Sequence, residues 1–294
     1  MELIKKIKRK VKSVLQNMGF MVDKKAWVSP SKKEQEHYRK NIRLATSKDT
    51  LQSIENTIAN QKKGAYLRFG DGDIYLMLGK DELLNKANVQ LSKDLKRAMK
   101  STIGTLHKGI PIHSEWYGYE PGIQLGMHLV TNQEASKYLK ATYKLLQTNT
   151  IYTPVALHYT AVFQPEICVS FLQFLKKQQP IFVGNENVAP NLVEKLFGAE
   201  HIKTPAVNSY QEFHRIEKEL VQTLQNRNKG FDVVVVAMGC PGRALQQRIL
   251  EQGFNVYLFD FGSLLDAFNN DNSRDWIAIG GGVEAMQEIL KQIN

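Results

Sequence analysis

The stretch FDVVVVAMGCPGRALQQRILEQGFNVYLFDFG, residues 231–262, carries the pattern that decides the fold. Its first seven residues are almost uniformly apolar, and the glycine-containing turn MGCPG separates them from a helix predicted over 242–252. A second apolar run follows at 254–259 and ends in the sequence DFG. Apolar strands without alternation between two faces are typical of parallel sheets that helices cover on both sides. The stretch therefore predicts a strand–helix–strand unit of an α/β protein.

The same alternation of strands and helices continues through the rest of the chain. Further strands are predicted at 65–69, 109–113, 151–156, 180–184 and 202–205. Helices are predicted at about 33–46, 50–61, 74–79, 92–104, 132–147, 165–177, 190–197, 209–226 and 281–293. We therefore expect a Rossmann-like, mostly parallel sheet flanked by helices, in a single α/β domain over residues 31–294. Because ligands of such sheets bind at the carboxyl ends of the strands, polar turns after strands are candidate sites.

Length and composition exclude several classes of protein. The 294 residues are 43% hydrophobic and 23% charged, as in an ordinary globular protein. The two cysteines, Cys168 and Cys240, lack the spacing of a zinc site and are expected to be buried thiols. The chain has no apolar run of about 18 residues, which a transmembrane helix needs, and its N-terminus lacks the features of a secretory signal. We therefore expect a cytoplasmic protein.

The formal net charge of +10 is concentrated at the N-terminus. Residues 1–40 contain 12 Lys or Arg and four acidic residues, so the remaining chain is nearly neutral. This distribution argues against nucleic acid as a partner, because nucleic-acid-binding domains carry a basic patch on the folded body. Apolar residues recur at helical spacing near the start, which predicts a basic amphipathic helix within residues 1–30. Such a helix either lies on an anionic membrane surface through residues 1–20 or docks on the protein's own body.

The sequence RFGDGD, residues 68–73, follows a predicted strand. Gly70 and Gly72 allow a tight turn in which Asp71 and Asp73 converge on one cation, and carboxylate oxygens suit Mg²⁺ or Mn²⁺. Beside a diphosphate, such an ion would act as a Lewis acid on the leaving group. The alternative is that the aspartates cap the helix that follows.

Other polar side chains lie in or near the turns after strands. The turn MGCPGR either holds an anion with its backbone N–H groups and Arg243 or serves only for packing. Asp260 either accepts from a ribose or sugar hydroxyl or caps the next turn. Asn185 lies in the polar turn VGNEN. Arg68, at the end of its strand, either contacts a phosphate or pairs with Asp71.

Groups that could deprotonate an acceptor hydroxyl lie in two places. The segment HSEWYGYE, residues 113–120, contains His113 and Glu115 beside aromatic residues that could stack on a sugar. Asp266 lies just beyond the last strand. A general base needs hydrogen-bond reach of the hydroxyl that it activates, and the sequence leaves these three residues and Glu120 open as candidates. An exposed loop with one buried aromatic anchor is the alternative for 113–120.

The sequence RFGDGDIYLMLGK resembles the N-terminal signature of the GT-D type glycosyltransferases, a family once classed as a domain of unknown function. In that family the turn reads RFGDGE, so that Asp73 here has one methylene less than the family's glutamate. TPAVNSYQEFHRIEKEL, residues 204–220, is similar to the family's Pro-x-x-Asn-Ala segment. Residues 232–266 are similar to its strand, Gly-Pro turn, helix and Asp-x-Gly ending. The similar segments together span roughly residues 50–270.

The resemblance implies a metal-dependent transferase that uses a nucleoside-diphosphate sugar, typically linked to UDP. It implies that the two aspartates of the GDGD turn hold the metal ion. The residues that it places beside the nucleotide are Gly239, Pro241, Gly242 and Asn208. A basic N-terminal helix would fit an enzyme that builds a lipid-linked glycan at the cytoplasmic face of a membrane.

We therefore predict a glycosyltransferase with Mn²⁺ or Mg²⁺ as cofactor, a UDP-sugar as donor and a glycan or lipid-linked glycan as acceptor. Its product would belong to a cell-surface polysaccharide or glycoconjugate. Two other classes stay open. A non-catalytic nucleotide- or glycan-binding protein would bind UDP without turnover. A methyltransferase dependent on S-adenosylmethionine would place the MGCPG turn near its cofactor and use Asp260 to hold ribose hydroxyls.

Overall fold

The computed structural model describes residues 27–111 and 132–293. The described strands are β1 (Arg43–Leu44), β2 (Gly64–Arg68), β3 (Thr105–Gly109), β4 (Thr150–Ile151), β5 (Ile181–Asn185), β6 (His201–Thr204), β7 (Asp232–Ala237) and β8 (Val256–Asp260). Within these ranges, six strands form one sheet in the order β3-β2-β8-β7-β5-β6. All of its neighbouring strands run parallel, and β1 and β4 form a separate parallel pair.

Helices connect most of the strands. The described α-helices are α1 (Lys32–Asn41), α2 (Ser47–Ala59), α3 (Asp71–Met77), α4 (Val89–Lys100), α5 (Asn132–Leu146), α6 (Ala156–Phe163), α7 (Pro165–Lys177), α8 (Pro190–Leu196), α9 (Phe213–Arg227), α10 (Pro241–Glu251), α11 (Leu264–Phe268), α12 (Asp275–Ile279) and α13 (Gly282–Lys291). A short 3₁₀ helix, Ser209–Glu212, precedes α9. In the described ranges, no helix has the length and apolar character needed to cross a lipid bilayer.

Several helices begin at residues whose side chains cap them. Ser31 accepts a hydrogen bond from the backbone of Glu34, and the Glu34 carboxylate accepts one from the backbone of Ser31. Thr46 and Asn88 cap α2 and α4 through single side chains. These caps satisfy backbone N–H groups that a helix cannot pair internally, so the local sequence fixes where each helix starts.

The sheet buries apolar side chains on both faces. In β7, Val234 and Val236 belong to one core, which includes residues of α4, α5, α9 and α10. Val233 and Val235 belong to the other core, with residues of α2, α7, α8 and α13. Because successive strand residues point to opposite faces, a strand covered on both sides is apolar throughout. The predicted α/β class, with a mostly parallel sheet flanked by helices, is confirmed.

Several regions differ from the sequence-based expectation. The strand expected at 151–156 is only the two-residue β4, and the short helices α11 and α12 were not expected. The strand expected at 109–113 is replaced by β3, four residues earlier, because the buried polar residues His107 and Lys108 disguise it. The helix expected over 33–46 ends at Asn41, and β1 follows it. Helix α6 was not expected, because it is buried around most of its circumference and shows no helical periodicity.

The basic helix predicted within residues 1–30 and the segment 113–120 lie outside the described residues, apart from 27–30. The predicted domain bounds, the membrane contact and the two candidate bases His113 and Glu115 therefore stay predictions.

Candidate functional site

A cavity of about 660 Å³ lies at the carboxyl ends of the strands. Its lining comes from the turns after β2, β5, β6, β7 and β8 and from residues 81–85. Ligands of parallel α/β sheets bind at this edge. The fold therefore joins, in one cavity, turns that the sequence could identify only separately.

Most of the residues singled out from the sequence line this cavity. They are Arg68, Gly70, Asp71, Gly72, Asp73, Asn185, Gly239, Arg243, Asp260 and Asp266.

Three residues that the resemblance places beside the nucleotide do not line the cavity. Pro241 and Gly242 form the buried first turn of α10, and a Cβ on Gly242 would lie 3.0 Å from Val236 Cγ1. These two residues therefore serve close packing of the helix on β7. Asn208 supports the rim of the cavity: its backbone N–H donates to Leu84 O at 2.7 Å, and its Oδ1 accepts from the backbone of Lys86 at 3.0 Å.

The GDGD turn starts α3 directly after β2. Asp73 is the third residue of this helix, and its Oδ2 accepts from the backbone N–H of Gly70 at 2.7 Å. Only 1% of Asp73 is exposed, and this burial raises the pKa of its carboxyl group to about 6 although Arg243 opposes the rise. Its Oδ1 is buried and has no hydrogen-bond partner. One oxygen of Asp73 therefore caps the helix, and the other makes no hydrogen bond, although Arg243 Nε lies 3.6 Å from it.

Asp71 and Asp73 are suited to a metal ion that a bound ligand also coordinates. Asp71 is the first residue of α3, is partly exposed and lines the cavity. No cluster of three or more His, Cys, Asp or Glu in residues 27–111 and 132–293 could hold a metal ion. Mg²⁺ is often bound by one or two carboxylates, with phosphates and water completing its shell. The unpartnered oxygen of Asp73 beside Asp71 fits that arrangement.

Two arginines and two aspartates form an ion cluster at this edge of the sheet. Arg68 Nη1 lies 3.3 Å from Asp260 Oδ1, and Arg243 Nη1 lies 3.3 Å from Asp260 Oδ2. Arg243 Nε lies 3.6 Å from Asp73 Oδ1. Arg68 thus pairs with Asp260 and not with Asp71. Each oxygen of Asp260 thus faces a guanidinium group, and its contact with a ribose or sugar hydroxyl stays a prediction.

The backbone holds both arginines of this cluster in place. Arg68 Nε donates to Pro154 O, and Arg243 donates to the carbonyl oxygens of Arg68 and Gly239. Gly262 has a φ of 71°, and a Cβ there would lie 1.5 Å from Arg68 Nη1. The glycine of the DFG sequence is therefore needed both for its left-handed backbone and for the space that the guanidinium group occupies.

Asp266 is the one candidate base within the described residues. Its Oδ2 lies 3.3 Å from both Nε and Nη2 of Arg274. Burial raises the pKa of Asp266, and Arg274 opposes the rise. A carboxylate whose pKa is raised accepts a proton more readily than an exposed one, so the geometry is compatible with a base at this wall of the cavity.

Several polar lining residues were not singled out by the sequence analysis, among them Glu82, Asn85, Thr204, Ser263 and Arg274. Glu82 accepts from the Asn85 side chain at 2.5 Å and from the Leu84 backbone at 3.0 Å, which shapes the loop between α3 and α4. Thr204 ends β6, is 1% exposed and has a buried hydroxyl without a partner. The rule that ligands bind at strand ends could have found Thr204, whereas the loop with Glu82 shows no pattern.

The fold is similar to one that has been described as a glycosyltransferase fold. A solved structure described as "The highly conserved domain of unknown function 1792 has a distinct glycosyltransferase fold" superposes with a TM-score of 0.61. The two sequences are 16% identical, and the match covers 86% of this chain and 87% of that chain. A selenomethionine-substituted structure of domain of unknown function 1792 matches with the same values.

A third structure, described as "A New Glycosyltransferase (DUF1792) from Streptococcus sanguinis", matches with a TM-score of 0.59 and 16% identity. It covers 82% of this chain and 86% of that chain. The sequence matches no protein-family model and no curated protein. At this level of identity the likeness lies in the fold, and it confirms the fold that the GT-D resemblance implied.

Proposed function

We propose that the protein is a glycosyltransferase that uses a divalent metal ion and a nucleoside-diphosphate sugar, with UDP as the nucleotide. The observation that carries the proposal is the cavity at the strand ends, which brings Asp71, Asp73 and the arginine cluster together on a glycosyltransferase fold. A cavity of about 660 Å³ lies within the range of small-molecule sites, which is roughly 300–1,000 Å³.

The residues that would hold the metal ion are Asp71 and the unpartnered oxygen of Asp73. When bound, Mn²⁺ or Mg²⁺ would neutralise charge that develops on the departing diphosphate. The chain's own contribution is to fix the carboxylates in advance. The hydrogen bond from Gly70 and the nearby Arg243 hold Asp73 in one orientation before any ligand arrives.

The side chains around the ion cluster would orient the donor and accept the acceptor's proton. Arg68 and Arg243 line the cavity as guanidinium donors that suit phosphate oxygens, and because both pair with Asp260 the net positive charge beside a diphosphate would come from the metal ion. Asp266 is the described group that could take the proton of the attacking hydroxyl, at its carboxylate. His113 and Glu115 are alternatives for that role.

The acceptor that we propose is a glycan or lipid-linked glycan, in the synthesis of a cell-surface polysaccharide or glycoconjugate. The support for a lipid-linked acceptor is the basic N-terminal sequence, whose lysines would bind an anionic membrane surface. We do not propose nucleic acid as a partner, because the excess positive charge lies in residues 1–40 and the rest of the sequence is nearly neutral.

The first experiment is calorimetric titration of UDP into the full chain with Mn²⁺, with Mg²⁺ and with a chelator. We expect binding that depends on the metal and that weakens by about 10–100-fold in Asp71→Asn, since that change removes a ligand charge. Asp49→Asn is the matched control, because it removes the same charge in α2, outside the cavity. Asp49→Asn should bind UDP as the wild type does.

Turnover separates the alternatives. If the wild type binds UDP but releases no UDP from any UDP-sugar, with or without acceptor glycans, the protein is a binding module and not a transferase. If the wild type does not bind UDP with Mn²⁺, with Mg²⁺ or with the chelator, the proposal of a UDP-sugar donor is wrong. Other nucleotides and S-adenosylmethionine are then titrated.

A further inference from the structure

Three side chains meet beside the cavity at Ser263, which lines it between the ion cluster and Asp266. Trp276 Nε1 donates to Ser263 Oγ at 3.2 Å. His158 Nε2 lies 3.0 Å from the same oxygen. The His158 and Trp276 rings pack edge to face, with their centroids 4.8 Å apart. The hydroxyl of Ser263 is therefore fixed from two sides by rings behind the cavity wall.

The hydrogen bonds of His158 decide how this hydroxyl is oriented. Only 3% of His158 is exposed, and burial keeps its ring neutral by lowering its pKa well below the ordinary value. A neutral imidazole carries one N–H, on either Nε2 or Nδ1. His158 Nδ1 is buried and has no partner. A buried N–H without a partner is rarer and more costly than a buried acceptor without one, so the proton belongs on Nε2.

With the proton of His158 on Nε2, the hydroxyl of Ser263 can only donate a hydrogen bond to a further partner. A serine hydroxyl has two acceptor lone pairs and one hydrogen. The indole N–H of Trp276 occupies one lone pair, because indole can only donate, and the imidazole N–H of His158 occupies the other. Among the described residues, no acceptor other than His158 Nε2 lies within hydrogen-bond distance of the hydroxyl. Its hydrogen is then free to point into the cavity.

We infer that Ser263 Oγ is a fixed hydrogen-bond donor that selects a phosphate oxygen of the bound nucleotide, and that His158 and Trp276 are positioning residues that set it. The nature of the ligand rests on the proposed function. The phosphate is favoured over other acceptors because two guanidinium groups lie near this hydroxyl, that of Arg68 against Gly262 and that of Arg274 in the cavity lining. Arg68 pairs with Asp260 and Arg274 with Asp266, but a guanidinium group has five N–H donors, and those that the carboxylates leave free suit further phosphate oxygens. A ligand hydroxyl or amine hydrogen finds no acceptor at Ser263.

The tautomer is tested without any ligand. In full-length protein labelled with ¹⁵N-histidine, the pattern of two-bond couplings shows which ring nitrogen of His158 is protonated. The signal is assigned through its proximity to the Trp276 ring, so no substitution is needed. Protonation at Nε2 supports the inference. Protonation at Nδ1 overturns it, because the hydrogen of Ser263 would then be used by His158.

The ligand is tested by titrating UDP, UMP and uridine into the wild type, Ser263→Ala and Ser263→Thr. We expect Ser263→Ala to lose about tenfold in affinity for UDP and UMP, as for a hydrogen bond to a charged group. Uridine should bind both proteins alike, and Ser263→Thr should restore much of the loss because it keeps the hydroxyl. Ser170→Ala, at an exposed position of α7 outside the cavity lining, is the control for a lost serine hydroxyl.

The possible outcomes separate this inference from the proposed function. Equal UDP affinity of Ser263→Ala and the wild type overturns the donor role. An equal loss for uridine overturns the phosphate as its target. If the wild type binds no uridine nucleotide, the proposed donor falls, and the donor role of Ser263 is decided by the tautomer of His158 alone.

Discussion

Buried polar side chains occur in two very different settings in this protein. At the ends of β2, β7 and β8, the side chains of Arg68, Arg243 and Asp260 pair through their charges beside the cavity. Asp73 joins this cluster, yet one of its oxygens remains without a hydrogen bond. The cluster is therefore ordered by its own charges but is not fully satisfied.

The edge strand β3 shows the opposite arrangement. His107 has a hydroxyl partner at each ring nitrogen, Ser53 at 2.9 Å and Tyr257 at 2.7 Å. The next residue, Lys108, is buried on the other face of the sheet, and its ammonium group donates to three backbone carbonyl oxygens, those of Met99, Ser101 and Leu146. Lys108 thereby closes the ends of α4 and α5.

The difference separates buried polar groups that find all their partners within the fold from those that would gain a partner when a ligand binds. A buried polar atom without a partner costs about 1–3 kcal/mol. Among the described residues, such atoms of Asp73, Asn85 and Thr204 belong to residues that line the cavity, and others lie elsewhere in the fold, so an orphan atom indicates a ligand only where it also borders the cavity. The polar groups of β3 have all their partners in the fold. The cluster beside the cavity does not, and the predictions below test whether that contrast holds.

The largest effect is expected at Arg243. Arg243→Met leaves Asp73 and Asp260 buried without their shared partner, and breaking a buried ion pair in this way costs about 3–5 kcal/mol in the free energy of unfolding. Urea denaturation measures the loss. Arg215→Met is the control, because Arg215 pairs with Glu212 and Glu219 at the surface and should cost less than about 1 kcal/mol. Equal losses of unfolding free energy in the two variants would show that the buried pairs of Arg243 contribute no more to stability than a surface pair does.

The second effect is a pH dependence that originates at His107. Burial lowers the pKa of His107 to about 4, below the ordinary value of 6.5. The unfolded state then binds more protons than the folded state between pH 6.5 and 4, so stability falls as the pH falls through that window. At pH 5 the contribution that is lost amounts to about 2 kcal/mol.

Unfolding by urea at pH 7 and pH 5 checks this prediction. His107→Gln removes the titrating ring and should lose less stability on acidification than the wild type does. His214→Gln, at an exposed ring, should follow the wild type. A wild type and a His107→Gln variant with the same pH dependence would show that the ring is not held neutral.

The contrast also explains what the sequence could and could not predict. The unit β7–α10–β8 was located to within two residues, because full burial makes both strands apolar throughout. Strand β3 was misplaced because its two buried polar residues look like exposed ones. Helix α6 was missed because a helix buried on nearly all sides has no periodic pattern.

Most of the candidate site could be listed from the sequence, but its pairings could not. Strand ends identify Asp73, Arg243 and Asp260 one at a time, since the chain direction of parallel strands brings those ends together. Which charge meets which depends on residues far apart in sequence: Arg68 and Asp260, for example, come from neighbouring strands 192 positions apart. The buried polar atoms that lack a hydrogen-bond partner beside the cavity can be identified only after these pairs are known.

The third prediction concerns Lys108. Lys108→Met leaves three carbonyl oxygens without their donor, which is partly offset because no cation has to be buried, so we expect a net loss of about 2 kcal/mol in the free energy of unfolding. Lys100→Met, at an exposed position in the same region, should change stability by less than about 0.5 kcal/mol. A neutral Lys108→Met would mean that these carbonyl groups find other partners.

The smallest effect on stability, and the sharpest test of the contrast, comes from two buried threonines. Thr142 is fully buried in α5 and donates to Tyr138 O at 2.8 Å, so Thr142→Val should cost about 1 kcal/mol. Thr204 lines the cavity, and its hydroxyl has no partner. Thr204→Val has nearly the same shape and removes an unsatisfied group, so stability should stay constant or rise by up to about 1 kcal/mol.

The same Thr204→Val variant should bind UDP more weakly, by about threefold to tenfold, if the hydroxyl waits for a ligand. Thr142→Val should leave UDP affinity unchanged, because Thr142 lies outside the cavity lining. A Thr204→Val variant as destabilised as Thr142→Val would reveal a partner within the protein. Unchanged stability together with unchanged UDP affinity would mean that an unsatisfied buried hydroxyl can persist without a ligand. The oxygen of Asp73 that makes no hydrogen bond would then no longer be evidence for a metal site.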